Sequence, residues 1–85
     1  MDIELLKIKA YVEISSYRLR TVKAIGNNVK TPTNIAKDSD IRTNHISNVL
    51  RDLKENGIVE CINEEVRKGR LYRLSEKGLK VYNEL

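Results

Sequence analysis

Apolar positions along this chain recur at two different spacings, and the change between them marks its architecture. The clearest run is 42–56. Ile46, Val49, Leu50 and Leu53 stand at i, i+3, i+4 and i+7, the stripe of a helix with one buried face. The opposite face carries Thr43, Asn44, Ser47, Asn48 and Arg51. Gly57 follows, where a residue free to take left-handed backbone stops a helix. Upstream, Thr31-Pro32 is a helix start: a capping hydroxyl, then proline at the first helical position. Ile35 and Ala36 point inward from the short helix behind it. Asp38-Ser39-Asp40 is turn chemistry, because short polar side chains bond their own backbone. Ile41, a lone apolar residue in that turn, is expected to plug the space between two helices.

Ser15 and Ser16 cap an earlier helix, with Leu19, Val22 and Ile25 at spacing three and Gly26-Asn27-Asn28 as its stop. Residues 3–14 fit two templates. Leu6, Ile8, Ala10, Val12 and Ile14 alternate with polar residues like a strand, while Leu5, Ile8, Tyr11 and Val12 make a helical stripe. The propensity of Glu4-Leu5-Leu6-Lys7 selects helix. Leu5, Ile8 and Val12 then serve either the chain's own core or a seam with a second copy, and the pattern leaves both open.

Beyond Gly57 the period shortens. Ile58-Val59-Glu60-Cys61-Ile62 is a β-branched run, 63–69 is polar and ends in glycine, and Arg70-Leu71-Tyr72-Arg73-Leu74 follows with Tyr72 and Leu74 toward the core. Two short strands joined by a polar loop make a β-hairpin. Ser75 caps a last helix, with Leu79, Val81, Tyr82 and Leu85 as its apolar positions.

Composition narrows the class. Eighty-five residues, 40% hydrophobic and 33% charged, make one soluble globular domain, 1–85. With no Phe or Trp and four Tyr, the core must be built from Ile, Leu and Val. Domains this small bury about 60% of their unfolded surface and are marginal alone, so a second copy is a natural source of added stability. No apolar run approaches the ~20 residues of a membrane span. Met1-Asp2-Ile3-Glu4 lacks the basic and apolar regions of a signal peptide. A single cysteine, Cys61, excludes an internal disulfide framework and fits a reducing, cytoplasmic compartment. Cys61 reads as a small buried hydrophobe on a strand.

Charge adds a partner class only through its placement. Sixteen Lys and Arg against twelve Asp and Glu give a formal net charge of +4, a mild bias toward an anionic partner. The excess falls in two places: the 42–51 face, free of carboxylates, and a basic run of Arg67, Lys68, Arg70 and Arg73. A short helix, a turn and a longer helix with a polar outer face form helix-turn-helix geometry. The longer helix fits the major groove, where Asn pairs with adenine edges and Arg with guanine. The basic hairpin reaches a neighbouring phosphate or the minor groove.

The stretches Gly57-Ile58-Val59-Glu60-Cys61, Lys68-Gly69-Arg70-Leu71-Tyr72-Arg73-Leu74-Ser75-Glu76-Lys77-Gly78 and Leu50-Arg51-Asp52-Leu53-Lys54-Glu55-Asn56-Gly57-Ile58-Val59 resemble winged helix-turn-helix regulators. The likeness is to archaeal ones of the ArsR/MarR-like type. Tyr17-Arg18-Leu19-Arg20 and Thr31-Pro32-Thr33-Asn34-Ile35-Ala36 resemble their preceding helices, so the likeness covers about residues 15–82. It implies an α+β, mainly helical fold: a three-helix core, a helix-turn-helix at about 31–56, a wing at about 58–74, and terminal helices. It also implies double-stranded DNA binding and regulation of transcription, as a homodimer joined through terminal helices. Thr43, Asn44, Ser47, Asn48 and Arg51 on the recognition helix, and Lys68 and Arg70 on the wing, take the DNA-contacting positions. Thr33, Arg42, His45 and Arg67 complete the set. Arg42 stands where such helices usually carry a Ser or Thr cap, leaving Thr43 or Asp40 to cap instead. Glu64 and Glu65 in the wing oppose phosphate approach.

Other chemistries find no support. His45 has no Cys or carboxylate partner at ligand spacing, so no metal is expected. The single cysteine also argues against the clustered-cysteine metal sensors that the family includes. There is no phosphate-cradling glycine loop, paired-carboxylate pocket or nucleophile–base pair, so neither enzyme activity, cofactor nor small-molecule ligand is expected. The rival reading is a winged helix used as a protein–protein interaction module within a larger assembly.

Overall fold

The described residues form five helices and one hairpin, and four of the helices start on side-chain caps. The computed structural model describes residues 2–85. Helix α1 spans Ile3–Glu13, and the Asp2 carboxylate accepts the Glu4 N–H at 3.0 Å. Helix α2 spans Ser16–Ile25, with the Ser15 hydroxyl accepting from the Arg18 N–H and Gly26 closing it at φ 52°. Helix α3, Pro32–Ser39, starts on the Thr31 hydroxyl, which accepts from Asn34. Helix α4 spans Thr43–Glu55. Strands β1 (Val59–Cys61) and β2 (Tyr72–Leu74) pair antiparallel with Val59 opposite Leu74 and Cys61 opposite Tyr72. Helix α5, Glu76–Glu84, is capped by the Ser75 hydroxyl.

All the buried apolar side chains join one cluster. Val12, Val22, Ile25, Ile35, Ile46, Leu53, Ile58 and Val81 form its centre, with Tyr11, Tyr72 and Tyr82 half-buried at its edge. The core is therefore aliphatic, as the composition requires. α2, α3 and α4 pack on one another, and the hairpin lies against α2 and α4. Ile41 is buried between α3 and α4, the plug expected of it.

The two apolar patterns of 3–14 resolve into one helix with two stripes. Val12 is fully buried, with Leu5 and Ile8 packed against the core, so that stripe is intramolecular. Ile3, Leu6, Ala10 and Ile14 lie half a turn away, and all four are exposed. Opposed stripes on one helix make every second or third residue apolar, which mimics strand alternation.

Three details differ from expectation. The turn is shorter than Asp38-Ser39-Asp40: α3 continues through Ser39, whose buried hydroxyl donates to the Ile35 carbonyl at 2.6 Å. Only Asp40 turns, at φ 57°, a left-handed backbone that Asp tolerates better than most residues. Neither Asp40 nor Thr43 caps α4. Asp40 closes α3, and Arg42, at the N-cap of α4, makes no side-chain capping bond. The strands are also shorter than 58–62 and 70–74. β2 gains a second neighbour instead, since Lys30 and Tyr72 exchange two backbone hydrogen bonds, at 3.0 and 2.8 Å.

Lys30 is a junction residue. Its ammonium donates to the Ala24 carbonyl at 2.5 Å and pairs with Asp38 at 2.8 Å, tying α2, α3 and the wing together. Thr21 is a weak point. It is fully buried, and its hydroxyl has no hydrogen-bond partner. An orphaned buried hydroxyl costs about 1–3 kcal/mol, so Thr21→Val, which keeps the shape, is expected to raise stability by about 1 kcal/mol in urea unfolding. A fall in the unfolding midpoint would show that the hydroxyl has a partner.

Candidate nucleic-acid interface

α4 is amphipathic in the sense needed for groove binding. Ile46, Val49, Leu50 and Leu53 are buried, while Thr43, Asn44, His45, Ser47, Asn48 and Arg51 are all exposed. No carboxylate stands on it before Asp52. Asn44, Asn48 and Arg51 occupy its outermost line, three to four residues apart, and so project together.

A groove runs along one flank of α4, walled by the start of α3 and by the wing loop. Thr33, Ser47, Arg51, Arg67, Lys68 and Arg70 line it, so six of the residues singled out in the sequence converge on one concavity. Lys54 lines it too, a position that sequence reading missed. The signal was there: Ser47, Arg51 and Lys54 stand at i, i+4 and i+7. Leu50 and Tyr72 contribute apolar lining, and no lining residue carries a carboxylate. The remaining sequence-chosen residues fall elsewhere. Arg42 and His45 line a second cleft, beyond the start of α4, and Thr43, Asn44 and Asn48 line neither.

The cations in and beside the groove are not equivalent. Arg70 is engaged within the loop: its guanidinium donates to the Val66 carbonyl at 2.7 Å and the Glu64 carbonyl at 3.3 Å. Asn63 completes that scaffold, accepting from the Leu71 N–H at 2.8 Å and donating to the Gly69 carbonyl at 3.1 Å. Arg73 pairs with Glu60, directly opposite it across the hairpin, at 2.7 Å. Lys54 pairs with Glu64. Their mutual hydrogen bond raises the lysine's pKa and holds the Glu64 carboxyl below its ordinary range. Glu64 thus ties the wing to α4, its charge paired with that of Lys54. Arg51, Arg67 and Lys68 have no ion-pair partner among the described residues.

The second cleft lies at the junction of α2, α3 and α4. Tyr17, Lys37, Asp40, Arg42 and His45 line it. The Tyr17 and His45 rings are 5.8 Å apart and tilted by 48°. Arg20 braces the same junction, donating to the Ser39 carbonyl at 2.9 Å and to the Asp40 carbonyl. These two acceptors lie at the end of α3, so Arg20 supplies the donors that a helix C-terminus lacks. Among the described residues, no group of three or more His, Cys, Asp or Glu is placed to hold a metal. No described helix is long and apolar enough to cross a membrane.

A three-helix core, a short turn between α3 and α4, and a hairpin beside α4 define a winged helix-turn-helix fold. No protein-family model matches the sequence, and no curated protein sequence matches it. Solved structures do. The chain is similar to a MarR family transcriptional regulator from Silicibacter pomeroyi DSS-3, with a TM-score of 0.72 and 13% identity over 95% of this chain and 60% of that one. It is also similar to ZitR of Lactococcus lactis, in two structures of a doubly substituted variant. The apo form gives a TM-score of 0.64 and 18% identity over 93% of this chain and 59% of ZitR. The other gives 0.62 and 20% over 81% and 47%. The chain thus spans 47–60% of the length of these proteins. At such identities the likeness is one of fold.

Proposed function

We propose that this chain is a sequence-specific, double-stranded DNA-binding regulator of transcription, with α4 in the major groove and the wing on flanking backbone. One observation carries the reading: the groove beside α4 is lined by cations without a carboxylate, and Arg51, Arg67 and Lys68 in it are unpaired among the described residues. A surface meant only to stay solvated needs no such segregation of sign. The exposed Asn44, Ser47, Asn48 and Arg51 supply the hydrogen-bonding groups that read base edges, while Thr33, Arg42, Thr43, His45, Arg67, Lys68 and Arg70 sit on or beside the walls that face the backbone. The fold neighbours support the reading, since one is described as a transcriptional regulator.

The working unit in this reading is a homodimer. The outer stripe of α1 has Ile3, Leu6 and Ile14 at 69%, 46% and 82% exposure, an apolar face that a second copy would cover. Two copies present two recognition helices to a two-fold symmetric site. The protein acts in the cytoplasm, by occupancy of DNA, with no enzymatic step and no cofactor.

A salt-titrated mobility shift tests this, with sedimentation of the same samples giving stoichiometry. With about four to six phosphate contacts per copy, log affinity should fall with log salt at about −0.9 per contact. Two copies per duplex are expected. Absence of a shift on genomic or random duplex at ~50 mM salt, where the electrostatic contribution is large, would favour a protein-interaction module instead.

A further inference from the structure

The cleft on the other flank of α4 brings an exposed tyrosine together with two cations. Tyr17 is 41% exposed, and among the described residues its hydroxyl has no hydrogen-bond partner. Its ring has two side-chain neighbours, the His45 ring with its centroid 5.8 Å away and the Arg20 guanidinium 5.4 Å from the Tyr17 centroid. Arg20 is itself anchored to the Ser39 and Asp40 carbonyls. An exposed ring placed between these neighbours presents its hydroxyl to the cleft mouth as an available donor. Lys37 and Arg42 line the same cleft, and neither is in an ion pair among the described residues. The one opposing charge is Asp40.

We propose that this cleft is a seat for a DNA backbone phosphate, in which the Tyr17 hydroxyl donates to a phosphate oxygen and Lys37 and Arg42 supply the charge. His45 and Arg20 are positioning residues for the Tyr17 ring. The inference rests on the DNA-binding reading and extends it. His45 and Ser47 differ by two positions, about 200° around a helix, so they face opposite walls of any groove that α4 enters. The wing groove, on the Ser47 side, meets one backbone; the Tyr17 cleft, on the His45 side, meets the other. A helix gripped on both walls of a groove about 12 Å wide cannot roll, and that fixes which side chains meet base edges.

Binding of a fluorescent duplex by three proteins tests this: wild type, Tyr17→Phe and Asp40→Asn. Tyr17→Phe removes only the hydroxyl and is expected to weaken preferred and random duplexes alike, by about tenfold. Asp40→Asn keeps a residue suited to left-handed backbone while removing the opposing charge, and is expected to tighten binding by about threefold. A merely structural role for Asp40 produces no tightening. Duplexes with a single neutral methylphosphonate at each backbone position in turn locate the contact. At one position wild type should lose affinity while Tyr17→Phe loses nothing further. Both variants within twofold of wild type would overturn the seat alone and leave the DNA-binding reading standing. A Tyr17→Phe loss that persists at every methylphosphonate position would do the same. Wild type that binds no duplex overturns the parent reading.

Discussion

Gly78→Ala is expected to destabilise the protein by about 3 kcal/mol, the upper range for forcing an extra methyl into a packed core. A Cβ at this position would lie 2.1 Å from the Ile58 carbonyl oxygen and 3.2 Å from the Leu74 Cβ. That carbonyl cannot swing aside freely. It accepts from the Ser75 N–H at 2.9 Å, while the Ser75 hydroxyl donates to the adjacent Gly57 carbonyl at 2.5 Å and accepts from the Gly78 N–H at 3.1 Å. Relief would require α5 to lift off the start of β1, opening the core around Ile58 and Val81. The sign is diagnostic, because Gly→Ala inside a helix otherwise stabilises by about 1 kcal/mol. On a domain whose total stability is about 5–10 kcal/mol, the melting midpoint should fall by about 12–24 °C in a circular dichroism melt. Gly69 is the control: it is left-handed at φ 74° with nothing within 4 Å of a Cβ, so Gly69→Ala should cost only the backbone strain of about 1–2 kcal/mol. A melting point for Gly78→Ala at or above wild type would mean that α5 sits farther from β1.

Gly78 also marks the limit of what the sequence told. Its neighbour Ser75 was legible as a cap, as were Ser15 and Thr31, because a cap bonds within three residues of itself. Gly26 and Gly57 were legible as stops for the same local reason, and both have positive φ. The need for glycine at 78 comes from a carbonyl twenty positions away, and nothing near it in the chain announces that. Lys30 is similar: its pairing with Tyr72 and Asp38 is visible only once α2, α3 and the hairpin are assembled. Residues 3–14 were ambiguous because one helix carries two apolar stripes.

The candidate site divides along the same line. The outer face of α4 was readable, since the 3.6-residue period alone assigns Asn44, Ser47, Asn48 and Arg51 away from the core. The basic run was readable as a run, but the roles within it were not. Arg67, Lys68, Arg70 and Arg73 are equivalent in sequence, yet Arg70 holds loop carbonyls and Arg73 holds Glu60. Glu64, which reads as an obstacle to phosphate, is paired with Lys54, a partner 10 positions away that the sequence does not announce. Tyr17 could be read only as part of a helix, because what sets it apart is its nearness to His45, 28 positions along the chain.

On the proposed DNA-binding reading, the free cations of the groove should separate into a base reader and a backbone binder, and two single substitutions tell them apart. Arg51 projects from the outermost line of α4, exposed and unpaired among the described residues. It is the arginine of α4, and Lys54, one turn later, is committed to Glu64. Two parallel hydrogen bonds from Arg to guanine discriminate against a wrong base by about 1–3 kcal/mol, so Arg51→Ala should weaken a preferred duplex by about 5–150-fold more than a random one. On random duplex it loses only a nonspecific contact, and the fall should stay within about fivefold. Lys68 lies on the wing loop, away from the base-reading line, as a point charge suited to phosphate. Lys68→Ala should therefore weaken both duplexes equally and reduce the salt slope by about 0.9 per copy. The ratio of preferred to random affinity is the quantity to measure, at one fixed salt concentration for all three proteins. It should collapse in Arg51→Ala and hold in Lys68→Ala. Equal losses on both duplexes for Arg51→Ala would make Arg51 a backbone contact and move base reading to Asn44 and Asn48, its neighbours on the same line.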